Sequence, residues 1–212
     1  YDYNIFDTEK KKIKINSKTY ETVDFKKKKW KLVFIFTPPD VRAQIFKNYN
    51  ESNVEQVFIE KPLFLNSEDI NSYEDNIGHD ATIYDGYIRN EFNHFKLLEH
   101  IFKTENVSKI SFFEQKKWPT KDIPLYLKRI KFNYAVAEVL PHYLVMAISL
   151  SESIELNITN LKNKDQYSSN ASFDVKNCEN LRQVNFVLSM NYNGLSGTII
   201  ETHDRRYFIP LD

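Results

Sequence analysis

Three residues of this chain have the types and the spacing that suit proton transfer. Glu138 and His142 stand four positions apart in an apolar stretch, so on a helix they project from one face, one turn apart. A carboxylate beside an imidazole fixes the tautomer of the ring, which suits proton exchange with a hydroxyl group. Lys61 supplies a cation directly after a predicted strand. A histidine satisfied within an apolar core would give the same pattern at His142.

Two predicted strands and a helix would position Lys61. Residues 32–36 are apolar, mostly β-branched or aromatic, and a Thr-Pro-Pro sequence follows them, which predicts a strand buried on both faces that ends at the prolines. A helix over residues 40–48 and a second buried strand over residues 57–59 complete a unit whose length predicts a right-handed crossover between parallel strands. Ligands of such sheets bind beyond the carboxyl ends of the strands. This edge would hold Thr37, Pro38, Pro39, Glu60 and Lys61.

Composition limits the classes of partner that we expect. The 212 residues carry 29 positive and 29 negative side chains, so the net charge of zero favours neither nucleic acid nor an anionic membrane. The single cysteine, Cys178, excludes an internal disulfide framework, and the five histidines lack paired ligand spacing, so we expect no metal site. No apolar run approaches the roughly 20 residues of a membrane-spanning helix. A cytoplasmic protein is the expectation.

The remainder of the chain predicts helices followed by strands. Residues 67–77 and 93–103 have the apolar spacing of helices, and residues 136–150 predict a buried helix in which Pro141 requires a kink or a helix start. From residue 153 onwards, short alternating runs are separated by turn residues, which is typical of antiparallel strands with one covered face.

The phrases around Lys61 resemble those of a known family. A buried strand ending in Thr37-Pro38, a helix, and a strand ending in Glu60-Lys61-Pro62 are similar to the Gfo/Idh/MocA family of NAD(P)-dependent sugar and cyclitol oxidoreductases. The sequence Gly-Tyr-Ile-Arg at residues 86–89 resembles a further phrase of that family. Glu138 and His142 match the spacing of its aspartate and acid/base histidine, with Glu in place of Asp.

The resemblance implies a fold and an activity. The fold would be a partial Rossmann-type parallel sheet domain over residues 1–66, followed over residues 67–212 by an α/β domain with a large, mostly antiparallel open sheet. The activity would be NAD(P)-dependent oxidation or reduction of a hydroxyl or keto group on a sugar, nucleotide sugar or cyclitol, with NAD or NADP as cofactor. The open sheet would form a homo-oligomer interface.

The resemblance also implies roles for individual residues. Lys61, His142 and Glu138 would be catalytic, with Lys61 beside the substrate hydroxyl and His142 as the acid/base. The substrate would be bound by Lys61, Tyr87, Arg89 and His142. Asp7, at the end of a predicted strand over residues 2–6, would hold the ribose 2′-OH. The cofactor site would comprise Asp7, Thr37, Pro38, Pro39, Glu60 and Lys61.

Three departures from the family pattern leave alternatives open. The four glycines cannot form the Gly-X-Gly-X-X-Gly turn that binds a pyrophosphate, Arg42 stands where many members carry a histidine, and Val145 stands where a further aspartate is common. Either an N-terminal segment lies outside this sequence, or the protein is a catalytically inactive relative that serves in sugar binding or assembly. A soluble α+β domain with coincidental motifs is the third possibility.

Overall fold

The computed structural model describes residues 12–15, 18–21, 30–39, 42, 54–61, 70–71, 82–117, 133–191 and 193–211. The chain forms two compact units, Tyr1–Gly86 and Tyr87–Asp212. The division between domains that the sequence suggests after residue 66 stays a prediction. Within the described residues, no helix is both long and apolar enough to cross a membrane.

The first unit contains a hairpin and a parallel sheet among its described residues. Strands β1 (Lys12–Ile15) and β2 (Lys18–Glu21) pair antiparallel. Strands β3 (Trp30–Ile35), β4 (Val54–Ile59) and β5 (Thr82–Asp85) pair parallel, in that order, with β4 in the middle. This confirms the predicted parallel pairing of the strands that flank the Thr-Pro-Pro sequence and precede Lys61. The predicted helices over residues 40–48 and 67–77 lie largely outside the described residues.

The two faces of this parallel sheet differ in burial. Ile35, Val57 and Ile59 are buried, whereas Phe34 and Phe36 are 56% and 65% exposed. The prediction that the first strand is buried on both faces is therefore wrong. Successive side chains of a strand point to opposite faces, so an unbroken apolar run places half of its residues on each face whether or not both faces are covered.

The second unit packs helices against a larger sheet. A 3-10 helix (Ile88–Glu91) precedes helix α1 (Asn93–Thr104), and α2 (Tyr134–Glu138) and α3 (Leu140–Ile148) follow strand β6. The described strands of the sheet are ordered β11-β10-β6-β9-β8-β7, and only β6 and β9 pair parallel. The strands are β6 (Val107–Gln115), β7 (Glu155–Asn163), β8 (Ser168–Lys176), β9 (Gln183–Ser189), β10 (Gly197–Thr202) and β11 (Arg206–Pro210).

This architecture confirms the predicted fold class, a Rossmann-type parallel sheet followed by an α/β unit with a large, mostly antiparallel sheet. The core of the second unit lies between the helices and one face of that sheet. The ring of Phe112 on β6 stacks on that of Phe186 on β9, with 5.5 Å between the centroids. The same ring also contacts Tyr143 of α3, at 5.0 Å between centroids. All three rings are fully buried, so they fix how α3 packs on the sheet.

Gly197 permits a close crossing on the opposite face of the same sheet. A Cβ atom at this position would overlap the carbonyl oxygen of Ile209 and would lie 2.7 Å from Cε2 of Phe208. Without that atom, the ring of Phe208 reaches across the neighbouring strand and stacks on Phe113 at 5.7 Å. A glycine is therefore needed at this point of β10.

We expect Gly197→Ala to lower the free energy of unfolding by about 1–3 kcal/mol, the usual cost of overpacking. The new methyl group would meet a backbone carbonyl that cannot move without breaking the pairing of β10 with β11. Gly194→Ala is the matched control, because its Cβ would meet only side-chain atoms among its nearest neighbours, namely the end of Gln115, which can rotate away, and Cβ of Gln115 at 3.0 Å. Urea denaturation of both variants measures the difference, and equal losses would contradict this account.

Candidate functional site

The carboxyl ends of the three parallel strands meet at one edge of the first unit. The amide of Glu60 donates to the carbonyl oxygen of Ile35 at 3.0 Å, and the amide of Gly86 donates to that of Ile59 at 2.9 Å. These bonds continue the ladder beyond the strands and hold the middle turn between its neighbours. Lys61, half-buried, follows the middle strand, and its backbone amide donates to Oε1 of Glu60 at 3.1 Å.

Gly86 brings the third strand end close to the turn that contains Lys61. A Cβ atom on Gly86 would lie 3.2 Å from the backbone nitrogen of Lys61 and 3.3 Å from Cα of Glu60, tighter than ordinary van der Waals contact. A glycine is buried here, and the two turns pack backbone against backbone. Gly86 belongs to a phrase that resembles the family, but its close approach to the Lys61 turn depends on tertiary structure.

The Thr-Pro-Pro turn at the first strand end is held by a buried arginine. Nε of Arg42, which is 2% exposed, donates to the carbonyl oxygen of Thr37 at 2.9 Å. The hydroxyl oxygen of Thr37 is buried and makes no hydrogen bond within the described part of the chain. A buried hydroxyl at the ligand-binding edge of a parallel sheet is a group that a polar ligand could satisfy. Pro39 is buried and Pro38 is exposed.

These groups allow a test of whether a dinucleotide fits. The Thr37 hydroxyl and the turn of Glu60 and Lys61 offer polar groups at the edge of the sheet where ligands of parallel sheets bind. Asp7, proposed for the ribose 2′-OH, lies outside the described residues. The four glycines of these 212 residues do not form the glycine-rich turn that binds a pyrophosphate.

In the second unit, Glu138 and His142 lie on either side of a helix junction. Helix α2 ends at Glu138, and α3 begins at Leu140 with Pro141 in its first turn, as the position of the proline predicts. Both side chains are buried, with 6% and 7% of their surface exposed. The rings of His142 and Tyr87 meet edge to face, with their centroids 5.5 Å apart. The structure therefore brings two of the predicted site residues together.

Arg89, a predicted substrate ligand, is bound to a carboxylate that the sequence analysis did not identify. Its two terminal nitrogens donate to the two oxygens of Glu114 at 2.7 and 3.3 Å. The hydroxyl of Tyr143 donates to Oε2 of the same carboxylate at 2.9 Å, and the guanidinium lies 5.0 Å from the centre of the Tyr143 ring. Three donors thus converge on one buried carboxylate.

The charges of this group change the acidity of its members. Burial alone would raise the pKa of Glu114, but the hydrogen bond and positive charge of Arg89, together with the Tyr143 hydroxyl, outweigh it and hold that pKa below its ordinary value. Burial and the negative charge of Glu114 raise the pKa of Tyr143, which keeps its proton. The group therefore stays an ion pair with a neutral phenol.

A signal for Glu114 is present in the sequence in retrospect. In β6, the buried positions alternate, with Ile110 and Phe112 four and two residues before Glu114. An acidic residue in the apolar phase of a strand needs a buried partner, because an isolated carboxylate is costly to bury. Tyr143 gives no comparable signal, since an aromatic residue in an apolar helix is ordinary.

A cavity of about 570 Å³ opens beside the ion pair. Its wall is formed by the end of β6, the loop that precedes β10 and the end of β11. The lining includes Arg89, Glu114, Lys116, Asn193, Ser196 and Leu211. A cavity of this size, lined by an ion pair, the cation of Lys116 and neutral polar groups, can accommodate a small polar molecule.

The fold is shared with solved structures of dehydrogenases. The WlbA (WbpB) dehydrogenase from Thermus thermophilus, in complex with NAD and UDP-GlcNAcA, is 10% identical with a TM-score of 0.65, over 85% of this chain and 61% of that one. Myo-inositol 2-dehydrogenase from Lactobacillus plantarum is 9% identical with a TM-score of 0.64, over 84% and 57%. Apo scyllo-inositol dehydrogenase from Lactobacillus casei is 14% identical with a TM-score of 0.62, over 84% and 55%.

These neighbours are Gfo/Idh/MocA-type oxidoreductases, so the resemblance seen in the sequence is confirmed at the level of the fold. The chain spans little more than half the length of these structures. No protein-family model and no curated protein matches the chain.

We expect Glu114→Gln to lower the free energy of unfolding by about 3 kcal/mol at neutral pH, because it breaks a buried ion pair. The folded-state pKa of Glu114 is depressed, so its contribution is complete above the unfolded value of about 4.5 and is lost as the pH falls through the folded value. The difference between wild type and variant should therefore shrink below pH 4.5. Urea denaturation from pH 7 to pH 3 measures it.

The control is Glu99→Gln, which removes the more exposed pair with Lys103 on the surface of α1. We expect it to cost no more than about 0.5 kcal/mol. A loss in Glu114→Gln that is as small as the control, or that does not change with pH, would show that the ion pair does not stabilise the unit.

Proposed function

We propose that this chain belongs to an NAD(P)-dependent oxidoreductase of the Gfo/Idh/MocA family, acting on a hydroxyl or keto group of a sugar, nucleotide sugar or cyclitol. The observation that carries the proposal is the edge of the parallel sheet, where Lys61 follows the middle strand and stands between two other strand ends. Solved structures with the same fold are described as inositol dehydrogenases and as a dehydrogenase with bound NAD and UDP-GlcNAcA.

In this proposal, NAD or NADP is held at the carboxyl edge of the parallel sheet. The buried Thr37 hydroxyl supports this role, because a ligand would satisfy it. The bound nicotinamide would exchange a hydride with the substrate carbon. Arg42 contributes indirectly, since its bond to the Thr37 carbonyl fixes the turn that presents the hydroxyl. The proposed cofactor residues are Asp7, Thr37, Pro38, Pro39, Glu60 and Lys61.

The side chains of the two units have separate proposed roles. The ammonium group of Lys61 would donate to the substrate oxygen and stabilise negative charge as the hydroxyl loses its proton. The imidazole of His142 would take that proton during oxidation and return it during reduction. Glu138 would orient the imidazole. The ring of Tyr87 restricts the position of His142 from one side.

The second unit supports a substrate that carries several hydroxyl groups. Arg89 and Glu114 together offer donors and an acceptor, and Lys116, Asn193 and Ser196 line the same cavity. Neutral hydroxyl groups can both donate to and accept from such a lining. Tyr87 and Arg89 keep their proposed roles as substrate contacts, with Arg89 acting as half of an ion pair.

A catalytically inactive relative, serving in sugar binding or assembly, is the second candidate. The favouring observation is Arg42, which stands at the position where many members of the family carry a histidine. Its side chain is buried and donates to the backbone of Thr37. Val145 likewise replaces an acidic residue with an apolar one.

The deciding experiment is a titration of NADH and NADPH into the full-length protein, followed by fluorescence. We expect saturable binding with a Kd of about 1–100 µM, the range of ordinary enzyme ligands. Thr37→Val should weaken binding, because it removes the hydroxyl while keeping the shape of the side chain. A folded full-length protein that binds neither nucleotide would overturn the oxidoreductase proposal and leave the inactive relative.

Replacing Lys61 by Met should lower turnover on a responsive sugar or cyclitol by about 10²- to 10³-fold, as for loss of one oxyanion-stabilising group. The melting temperature should stay near that of wild type, because Lys61 is only half-buried. Lys31→Met is the matched control, since Lys31 is exposed on β3 of the same sheet. Unchanged turnover in Lys61→Met would remove this residue from the mechanism.

We also propose that the protein forms a homo-oligomer through the open face of the larger sheet. That face exposes Val187, which pairs with Phe113 in the register of β6 and β9, and Phe208, whose ring stacks on that of Phe113. Clustered apolar groups on an exposed sheet face suit an interface between copies. Sedimentation of Val187→Lys should show a smaller species than wild type, whereas Leu97→Lys on the surface of α1 should not. A wild-type protein that sediments as a monomer would refute the proposal.

A further inference from the structure

Several side-chain contacts connect the segment before α1 to helix α3, among them the bond of Asn90 to Ser149 at 2.9 Å, and two further paths lie at the candidate site. On one path, Tyr87 meets the ring of His142 at 5.5 Å. On the other, Arg89 and Tyr143 bind the same carboxylate of Glu114 on the central strand β6. Tyr87 and Arg89 are two residues apart, and His142 and Tyr143 are adjacent. The Glu114 carboxylate therefore binds Arg89, which is close to Tyr87 in the sequence, and Tyr143, which is adjacent to His142.

The geometry makes Glu114 the shared element of these contacts. Its Oε2 accepts from Arg89 at 2.7 Å and from Tyr143 at 2.9 Å, and its Oε1 accepts from Arg89 at 3.3 Å. The guanidinium also lies 5.0 Å from the centre of the Tyr143 ring. Bidentate pairing restricts the orientation of a guanidinium more than a single bond does. Removal of the carboxylate charge weakens both anchors at once.

We propose that Glu114 is a positioning residue for His142. It holds Arg89, and with it the backbone that presents Tyr87, while it holds Tyr143, and with it the turn of α3 that presents His142. The ring of Tyr87 is thereby kept against the imidazole. The meaning of this arrangement for proton transfer rests on the proposed function, whereas the arrangement itself can be measured without substrate or cofactor.

The test is the NMR signal of the His142 ring in the whole protein, assigned by its loss in His142→Gln. A nearby aromatic ring shifts such signals, so Tyr87→Leu gives the reference position for an imidazole without its neighbour. In Glu114→Gln, we expect the His142 signal to move from the wild-type position towards that reference. Tyr143→Phe, which removes only a hydroxyl, should move it in the same direction by a smaller amount.

The matched control is Thr198→Val. Thr198 is as buried as Tyr143, and its hydroxyl bonds Nε2 of His94 at 2.7 Å in another part of the same unit. This variant should shift the signal of His94, lower the melting temperature and leave the signal of His142 in place. A purely structural role for Glu114 would make its variant behave like this control.

The proposal is overturned if Glu114→Gln lowers the melting temperature but leaves the His142 signal at its wild-type position. If that variant does not fold, Tyr143→Phe decides the question, and an unshifted His142 signal there overturns the proposal equally. The result is independent of nucleotide binding. Failure of the NADH titration would therefore leave this measurement interpretable, and failure of this measurement would leave the oxidoreductase proposal standing.

Discussion

The second unit depends on one constraint, which is that strand β6 must bury a carboxylate on the same face as its hydrophobic core. Phe112 on this face stacks between the sheet and α3, and Glu114, two residues further on, faces the same interior. The charge is tolerable only because a guanidinium and a phenol reach it. These partners come from the two segments that contain Tyr87 and His142, so satisfying the charge also orders the candidate site.

The first unit obeys a different constraint, set by parallel pairing. Parallel strands end at the same edge, and their turns must pack side by side there. Gly86 provides the necessary space, and Arg42 donates to the carbonyl oxygen of Thr37. The Thr37 hydroxyl makes no hydrogen bond within the described residues. The close approach at Gly86 and the bond from Arg42 therefore satisfy the backbone at the same edge where a polar ligand could bind. Lys61 derives its proposed role from this position.

The local sequence was sufficient to predict structural features that depend only on neighbouring residues in the chain. Backbone sterics of proline explain why β3 ends before Pro38 and why α3 begins near Pro141. The helical period explains the amphipathic spacing of α1. The parallel pairing of β3 with β4 follows from the length of the connection. Burial was harder to predict, because Phe34 and Phe36 are apolar in the same way as Ile35 but lie on the exposed face.

The sequence by itself determined the fold class and placed Lys61 directly after a strand, because these depend on patterns a few residues long. It predicted one helix over residues 136–150, whereas Glu138 ends α2 and His142 lies on α3. Only the tertiary structure decided that Tyr87 meets His142 and that Arg89 binds Glu114. Those partners are separated by 55 and 25 positions in the chain, and no local pattern selects one distant partner over another. The choice is made by the packing of α3 on the sheet and by the cost of leaving a buried charge unpaired.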